Sequence, residues 1–406
     1  MLGSKNAIGV PPPRLRGFGS MTAQPRRVAI LGSTGSIGRS TLEVIAAANG
    51  RFTVAGLTAH RQVDLLVEQA WSVRPGWVAI ADPAASARLE SNRLPPGTRI
   101  LKSSEAVAEA VAEPDVDLVM SAIVGAAGLA GTWAALAAGK RVALANKETL
   151  VVAGPLAMAL AARHGGELLP VDSEHSAIFQ ALKAGRREEV ERLVLTASGG
   201  PFRNHSAEQL AAVTVADALD HPTWKMGPKI TIDSATMMNK ALEVIEARWL
   251  FDFPPEQIGV VVHPQSIVHS LVEYRDGSVL AQLSPPDMKL PIQYALTYPE
   301  RWAGPAARMD WTKTHSLEFL APDERRFPAL RLGFEVAKAG GTAGAVVNAA
   351  NETAVAAFIA GKIRFTDIVP ACRAVLENHE FEACPTLERL WTLDAWARKE
   401  VGRWTE

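Results

Sequence analysis

A glycine-rich turn near the N-terminus constrains the fold of this 406-residue chain more than any other feature. The turn reads Gly32-Ser33-Thr34-Gly35-Ser36-Ile37-Gly38. An apolar run at 27–31 precedes it, and helical spacing of Leu42, Val44 and Ile45 follows it. A strand, a turn and a helix in that order let the backbone pass close to a pyrophosphate at a helix N-terminus. Turns with this spacing also occur as plain connectors, so the interpretation depends on the sequence that follows.

The segments after this turn alternate between apolar runs and helical patterns. Strands are predicted at 52–57, 77–80, 118–121 and 142–145, and helices at 40–48, 63–70 and 132–138. This alternation is typical of an α/β fold with a Rossmann-like, doubly wound and mostly parallel sheet. We therefore predict an N-terminal nucleotide-binding domain over residues 21–171.

The pattern changes after residue 171. Strands are predicted at 193–197, 258–262, 267–272 and 279–283, with a hairpin turn at Asp276-Gly277 and a helix at 239–250. Further helices are predicted at 329–339, 343–360, 365–378 and 386–401. These patterns predict a central α+β catalytic domain over 172–297, a connector over 298–322 and a small C-terminal helical domain over 323–406. Residues 1–20 contain Pro11-Pro12-Pro13 and no acidic residue, which predicts a disordered extension.

The end of the second predicted strand indicates which nicotinamide nucleotide the turn would bind. NAD-specific folds usually carry an acidic residue there, which binds the ribose 2'-hydroxyl. This chain reads Thr58-Ala59-His60-Arg61-Gln62, with a guanidinium in the region where an acid would repel a 2'-phosphate. The sequence therefore favours NADPH. The alternative interpretation of Arg61 is a solvated loop charge.

Two acidic clusters predict a site for a divalent cation. Asp172 and Glu174 are predicted in an extended segment, where side chains two residues apart point the same way. Glu243 lies one helical turn after Asn239 on the predicted helix 239–250. Three carboxylates without a histidine-cysteine cluster favour Mg2+ or Mn2+ over Zn2+. Alternatively, each carboxylate caps a helix or pairs with a basic residue, as Glu243 could with Arg248 or Lys240.

Neighbouring polar residues fit a phosphorylated substrate. Ser234, Asn239 and Lys240 offer hydrogen-bond donors, and the loop Ser198-Gly199-Gly200-Pro201-Phe202 can present a hydroxyl and amides. The segment His221-Pro222-Thr223-Trp224-Lys225-Met226-Gly227-Pro228 has the composition of a lid that closes over a substrate. Trp224 could instead be part of the core.

Composition excludes other functional classes. The formal net charge is -1 without a basic stripe, which argues against nucleic-acid binding. The apolar stretch 153–162 is too short to span a bilayer, so a soluble protein without a membrane partner is expected. Only Cys372 and Cys384 occur, both far from the motifs, so neither a disulfide framework nor a thiolate nucleophile is supported. A reducing cytoplasm fits this cysteine usage.

The motifs resemble, in order and residue type, those of the 1-deoxy-D-xylulose 5-phosphate reductoisomerase family. The matching segments are the glycine turn, Ala145-Asn146-Lys147-Glu148, Pro170-Val171-Asp172-Ser173-Glu174-His175, the 198–202 loop, the 221–227 segment, Ser234-Ala235-Thr236-Met237-Met238-Asn239-Lys240 and His263-Pro264-Gln265-Ser266. The resemblance runs from about residue 26 to the C-terminal helices. It leaves out only the first twenty residues.

The resemblance implies a role for each of these motifs. The metal ligands, for Mg2+ or Mn2+ with Co2+ as an alternative, would be Asp172, Glu174 and Glu243. The phosphate-binding residues would be Ser198, Ser234, Asn239 and Lys240. The residues around the reacting carbon chain would be Lys147, Ser173, His221 and, on the lid, Trp224, so that the catalytic set is Lys147, Asp172, Glu174, His221 and Glu243. The NADPH site would contain Thr34, Gly35, Ser36, Ile37, Ala59, His60, Arg61, Gln62, Asn146, Glu148, Gly227 and Met288.

The resemblance also implies the reaction. The family converts 1-deoxy-D-xylulose 5-phosphate to 2-C-methyl-D-erythritol 4-phosphate for isoprenoid synthesis, by a metal-assisted skeletal rearrangement followed by hydride transfer from NADPH, and a homodimer is expected. Two alternatives are weighed against it. A semialdehyde or sugar dehydrogenase would share the glycine turn, but an acylating one needs a cysteine near the motifs. A catalytically dead NADPH-binding regulator would have lost the metal carboxylates, and all three are present.

Overall fold

The structure is a computed structural model that describes residues 24–224 and 226–404. The extension predicted over residues 1–20 lies outside the described residues. In the described part of the chain, no helix combines the length and the apolar character needed to cross a membrane.

The first region is a seven-stranded sheet with helices on its faces. Its strands are β1 (Arg26–Leu31), β2 (Phe52–Ala59), β3 (Trp77–Ile80), β4 (Arg99–Leu101), β5 (Leu118–Ser121), β6 (Arg141–Leu144) and β7 (Glu167–Pro170). Its helices are α1 (Ser36–Ala47), α2 (Val63–Val73), α3 (Pro83–Ser86), α4 (Ser104–Ala112), α5 (Leu129–Ala137) and α6 (Glu148–His164). The spatial order is β4-β3-β2-β1-β5-β6-β7, and every neighbouring pair is parallel. The predicted doubly wound sheet is confirmed, and its order reverses between β1 and β5.

The glycine turn is held between β1 and α1 by close backbone packing. The central strand β1 is buried on both faces from Val28 to Leu31, as expected for a strand covered by helices on each side. Gly32 has a φ of +90°, a backbone conformation that residues with a side chain rarely adopt. A Cβ atom on Gly38 would lie 2.3 Å from the Gly32 carbonyl oxygen, so only glycine lets α1 begin this close to the strand.

The second region is built around a mixed four-stranded sheet. Its strands are β8 (Val190–Ala197), β9 (Ile258–Val262), β10 (Val268–Tyr274) and β11 (Val279–Leu283), in the order β11-β10-β8-β9. Its helices are α7 (Ser173–Ala181), α8 (Ala207–Ala211), α9 (Val215–Leu219), α10 (Pro228–Ala235), α11 (Met238–Leu250) and α12 (Lys289–Thr297). The hairpin between β10 and β11 is confirmed, with Gly277 at a φ of +86°.

One local prediction is wrong. Residues 172–174 are not extended, because β7 ends at Pro170 and α7 begins at Ser173. Asp172 is the N-cap residue of α7, and Glu174 lies in its first turn. The two carboxylates therefore reach the same region from a helix N-terminus, where the positive end of the helix dipole favours negative charge.

The C-terminal helices pack against α6, α10 and α11. They are α13 (Ala329–Ala339), α14 (Ala343–Ile359), α15 (Ile368–Asn378) and α16 (Leu387–Trp404). The 298–322 segment contains no helix or strand, apart from a single bridge between Leu320 and Val262. Helix α12 contributes Ile292 and Leu296 to the hydrophobic cluster beneath β1 and β2, so the first two regions share a core at that helix. The domain boundaries drawn from the sequence stay predictions.

Candidate active site

A cavity of about 620 Å³ lies between the strand ends of the first sheet and the helices of the second region. It collects most of the residues that the sequence singled out. Those in its lining are Gly35, Ser36, Ile37, Asn146, Lys147, Glu148, Asp172, Ser173, Glu174, Ser198, Trp224, Gly227, Ser234, Asn239, Lys240, Glu243 and Met288. Residues from positions 35 to 288 thus meet in one space.

The remaining predicted residues lie outside the lining of that cavity. They are Thr34, Ala59, His60, Arg61, Gln62 and His221. His221 nonetheless contacts two lining residues, whereas Arg61 lies on the surface after β2 with 70% of its side chain exposed. Its Nε donates to Asp82 Oδ2 at 2.8 Å, so this guanidinium already has a partner.

Three carboxylates and two lysines form the charged centre of the cavity. Ligand atoms of Asp172, Glu174 and Glu243 all lie within 4.8 Å of one another. Lys147 Nζ lies 2.6 Å from Asp172 Oδ2 and 3.1 Å from Glu243 Oε1. Lys240 Nζ lies 2.8 Å from Glu174 Oε1 and also pairs with Glu243. The carboxylates thus cluster and pair with lysine at the same time, while Arg248 pairs with Asp252 instead of Glu243.

Burial and mutual charge perturb this centre strongly. Burial, with the neighbouring Glu174 carboxylate, raises the pKa of Glu243 to about 7, although Lys147 and Lys240 oppose the shift. Burial would also raise the pKa of Asp172, but the charges of Lys147 and His175 hold it well below its usual range. Titratable groups with pKa values shifted in opposite directions within one cavity are typical of functional sites.

The donor set fits a small, hard divalent cation. The clustered ligand atoms are carboxylate oxygens, which Mg2+ and Mn2+ prefer. Asn239 Nδ2 donates to Glu243 Oε1, and Lys147 Nζ donates to Asn239 Oδ1 at 2.8 Å, which confirms the predicted one-turn relation between Asn239 and Glu243. A bound cation would replace part of the lysine charge that now neutralises these carboxylates.

Sequence reasoning missed a second buried layer under this cluster. His175 Nε2 lies 3.0 Å from the Glu243 carbonyl oxygen, and His175 Nδ1 lies 3.5 Å from Glu246 Oε2. His175 and Glu246 are both almost fully buried. Each lies three residues after a predicted ligand. Helical spacing on the predicted helix 239–250 could have revealed Glu246, and it would have revealed His175 had α7 been predicted to begin at Ser173.

The hydroxyls at the other end of the cavity converge on one histidine. His221 Nδ1 accepts the backbone N–H groups of Thr223 and Trp224, at 3.1 and 3.0 Å. The proton of the neutral ring is therefore on Nε2, which lies 3.2 Å from Ser198 Oγ and 3.1 Å from Ser234 Oγ. Burial lowers the pKa of His221, which favours this neutral form.

The aromatic residue of the predicted lid contributes to the wall. Trp224 is partly buried and lines the cavity, with its ring centroid 6.4 Å from that of His269. It is thus exposed to the cavity rather than enclosed in the hydrophobic core clusters.

An ionic cluster in the wall of the same cavity was also missed by sequence reasoning. Lys229 Nζ lies 3.0 Å from Glu148 Oε1 and 2.9 Å from Asp233 Oδ2. Glu148 Oε2 accepts from Asn146 Nδ2 at 2.9 Å. No short-range pattern in the sequence pairs residues 148 and 229, which the fold alone brings together.

Comparison with known proteins gives one consistent family. Profiles described as 1-deoxy-D-xylulose 5-phosphate reductoisomerase match residues 28–154, and profiles for the C-terminal domains of that enzyme match residues 168–251 and 283–400. A 1-deoxy-D-xylulose 5-phosphate reductoisomerase of Chlorobaculum tepidum is 54% identical over 92% of this chain and 98% of its own length. One of Rhodopirellula baltica is 50% identical over 94% and 95%.

Solved structures agree with the sequence comparison. A DOX-P reductoisomerase crystallised with NADPH, fosmidomycin and magnesium superposes with a TM-score of 0.88 at 44% identity, covering 94% of this chain and 98% of that one. The enzyme of Zymomonas mobilis in complex with NADPH gives 0.88 at 46% identity, covering 94% and 100%. The chain therefore belongs to the 1-deoxy-D-xylulose 5-phosphate reductoisomerase family.

Proposed function

We propose that this chain converts 1-deoxy-D-xylulose 5-phosphate to 2-C-methyl-D-erythritol 4-phosphate, using NADPH and a divalent cation. The observation that carries the proposal is the meeting of the glycine turn, a cluster of three carboxylates and a group of hydroxyl and ammonium donors in one cavity. These are sites for a dinucleotide, a metal and a phosphorylated substrate. The named reaction is one that needs all three.

Asp172, Glu174 and Glu243 would hold Mg2+ or Mn2+, since all three contribute carboxylate oxygens to one cluster. The magnesium in three solved structures of relatives supports this cation. When bound, the cation supplies electrostatic stabilisation of negative charge on substrate oxygens. Lys147 and Ser173 lie beside the carboxylates and would orient the carbon chain.

Ser198, Ser234, Asn239 and Lys240 would bind the substrate phosphate. Ser198 and Ser234 are brought together by His221, whose neutral ring would donate one N–H bond. Lys240 carries a charge at any physiological pH, because Glu174 and Glu243 raise its pKa against the opposing effect of burial. A full positive charge and hydroxyl donors suit a phosphate. Trp224, on the lid, would cover the bound substrate.

The nucleotide would cross the ends of the first sheet. In doubly wound sheets the dinucleotide lies where the strand order reverses, with its pyrophosphate at the helix after β1. Here that helix is α1, whose N-terminal residues Ser36 and Ile37 line the cavity. The 2'-phosphate would lie on the β2 side, near Arg61. The nicotinamide would lie on the other side of β1, near Asn146, Glu148 and Met288.

The proposed reaction is a rearrangement of the carbon skeleton followed by a hydride transfer. The bond between C3 and C4 of the substrate breaks, a new bond forms between C2 and C4, and the aldehyde carbon C3 then accepts hydride. Lys147 is the N-cap residue of α6 and reaches the carboxylates, so it would stand between the nucleotide residues and the metal ligands. This arrangement supports hydride delivery next to the metal.

We also infer a homodimer in the cytoplasm. Strand β11 is the edge of the second sheet and exposes Val279 and Leu280, which a second copy of the chain could cover. The domain assignment of the sequence analysis is retained with it: nucleotide binding in 21–171, catalysis in 172–297 and a helical C-terminal domain in 323–406.

The proposed function is tested by following NADPH oxidation with purified protein. Oxidation should require both 1-deoxy-D-xylulose 5-phosphate and Mn2+ or Mg2+, and a chelator should stop it. The variant Glu256→Gln, which removes an exposed carboxylate far from the cavity, is the control and should retain full activity. Absence of oxidation by the metal-loaded protein would contradict the proposal.

A further inference from the structure

Lys229 is a buried charge in the cavity wall to which the proposed function gives no role. It lies at the second position of α10, immediately after the predicted lid, and only 18% of its side chain is exposed. Its ammonium contacts Glu148 Oε1 at 3.0 Å and Asp233 Oδ2 at 2.9 Å. Burial would lower the pKa of Lys229, but these two carboxylates and Glu352 raise it. The ammonium is therefore a permanent charge.

Both oxygens of Glu148 are occupied by protein donors. Lys229 contacts Oε1, and the Asn146 side-chain amide donates to Oε2 at 2.9 Å. That amide also donates to the carbonyl oxygens of Ile123 and Gly125, at 2.7 and 2.9 Å. Asn146 is thus fixed by the backbone after β5, whereas Lys229 is the ion-pair partner of the other Glu148 oxygen.

Helix α14, one of the C-terminal helices, contacts Asp233, which pairs with Lys229. Asp233 Oδ1 accepts from Asn351 Nδ2 at 2.8 Å, and Asn351 is fully buried on α14. The next residue, Glu352, accepts from the backbone N–H of Ala126 at 3.1 Å and from Arg398 at 2.7 Å. The cluster therefore connects α14 to the wall of the nucleotide site through buried, charge-assisted hydrogen bonds.

The position of Glu148 relative to the strands of the first sheet determines which half of a bound dinucleotide it would affect. Glu148 begins α6, after β6, and β6 is separated from β1 by β5. Arg61 follows β2, on the opposite side of β1. A dinucleotide that crosses β1 has its adenosine half near Arg61 and its nicotinamide half near Glu148.

We propose that Lys229 is a positioning residue for the nicotinamide half of NADPH, acting through the Glu148 carboxylate. The inference rests on the proposed function, since it requires that this cavity bind NADPH. Without the ammonium, Glu148 loses its ion-pair partner on Oε1 and can rotate away from the orientation that the nicotinamide needs. Asp233 would be left buried with Asn351 as its partner.

The test compares two ligands on the full-length variant Lys229→Met. The ligands are NADPH and 2',5'-ADP, a fragment that carries the adenosine half and its 2'-phosphate but no nicotinamide. The dissociation constant of NADPH should rise about tenfold, the effect of losing one hydrogen bond to a charged group. The dissociation constants of 2',5'-ADP and of Mn2+ should stay the same, because their contacts lie elsewhere. Lys338→Met, which removes a mostly exposed ammonium, is the matched control and should change none of them.

A structural role for Lys229 would give a different result. It would lower the melting temperature while leaving the ratio of the NADPH and 2',5'-ADP affinities unchanged, and that outcome would overturn the proposal. If Lys229→Met does not fold, Asn351→Ala makes the same test, because it removes the donor that holds Asp233. A selective, smaller loss of NADPH affinity is expected for it, and an equal loss of both ligands would overturn the proposal.

The role of Lys229 and the proposed function of the chain are tested by different outcomes. Unchanged NADPH affinity in the folded variants, in a protein whose parent binds NADPH and turns over substrate, overturns only the role of Lys229. A parent protein that binds neither NADPH nor 2',5'-ADP overturns the proposed function, and this inference with it.

Discussion

The ammonium of Lys147 lies 2.6 Å from the Asp172 carboxylate, with only 7% of the lysine side chain exposed. The pair joins the N-cap residues of α6 and α7, so it fixes the N-termini of these two helices against each other. Removing one partner of a buried ion pair costs about 3 to 5 kcal/mol, because the other charge is left uncompensated.

Lys147→Met should therefore lower the melting temperature by several degrees in the presence of a chelator. Mn2+ should restore much of the loss, since it would supply the positive charge that the carboxylates lack. Thermal denaturation with and without Mn2+ checks this, with Lys338→Met as the control. An identical loss under both conditions would mean that the carboxylates do not bind the cation.

Glu243→Gln should reduce turnover by about 100-fold or more, because it removes one metal charge while keeping the shape of the side chain. NADPH affinity should be nearly unchanged, since Glu243 lies with the metal ligands rather than with the glycine turn. Steady-state rates across a Mn2+ titration test the predicted loss of turnover. Binding measurements with NADPH test the predicted unchanged affinity. Wild-type activity at every Mn2+ concentration would remove Glu243 from the ligand set.

Arg61→Ala should weaken NADPH more than NADH, by about 1 to 3 kcal/mol if the guanidinium binds the 2'-phosphate. The contact between Arg61 and Asp82 adds a second arm to the test. Asp82→Asn can keep the N-cap of α3 while removing the competing charge, so NADPH should bind as well or better. The measurement is the ratio of the specificity constants for NADPH and NADH. An unchanged ratio in Arg61→Ala would mean that another residue binds the 2'-phosphate.

Closure of the 221–228 segment should accompany binding at the metal. A phosphonate-hydroxamate that chelates the cation should change tryptophan fluorescence and slow amide exchange in this segment, provided that Mg2+ or Mn2+ is present. Because the chain has ten tryptophans, Trp224→Phe is the control, and it should lose the fluorescence change while retaining binding. Identical exchange with and without the metal and inhibitor would return Trp224 to a purely structural role.

Five of the seven strands of the first sheet were predicted from the sequence, because their signals are local, whereas β4 and β7 were not predicted. The glycine turn, the apolar runs and the alternation with helices each occupy fewer than about ten neighbouring residues, and parallel order follows from right-handed crossovers. The strands β3, β5, β9 and β11 have the predicted bounds. The clustering of Asp172, Glu174 and Glu243 was also predicted, because these residue types limit the chemistry.

The errors and omissions of the sequence-based prediction concern features that depend on tertiary contacts. Asp172 and Glu174 converge because a helix begins between them, and two acidic residues near a strand end gave no sign of that boundary. The contact between Asp233 and Asn351 joins residues 118 positions apart, so no spacing rule could reveal it. Lys229 likewise acquires its partner Glu148 only when distant helices pack together.

The most direct test of the account is the fate of one carbon–carbon bond. Substrate labelled with 13C at both C3 and C4 should be converted, with NADPH and Mn2+, to a product in which the one-bond coupling between the labels is lost and the former C3 appears as a hydroxymethyl carbon. Deuterium from labelled NADPH should appear on that carbon. A product that retains the coupling, reduced at C2 to a 1-deoxypentitol 5-phosphate, would show an ordinary ketone reductase and contradict the account.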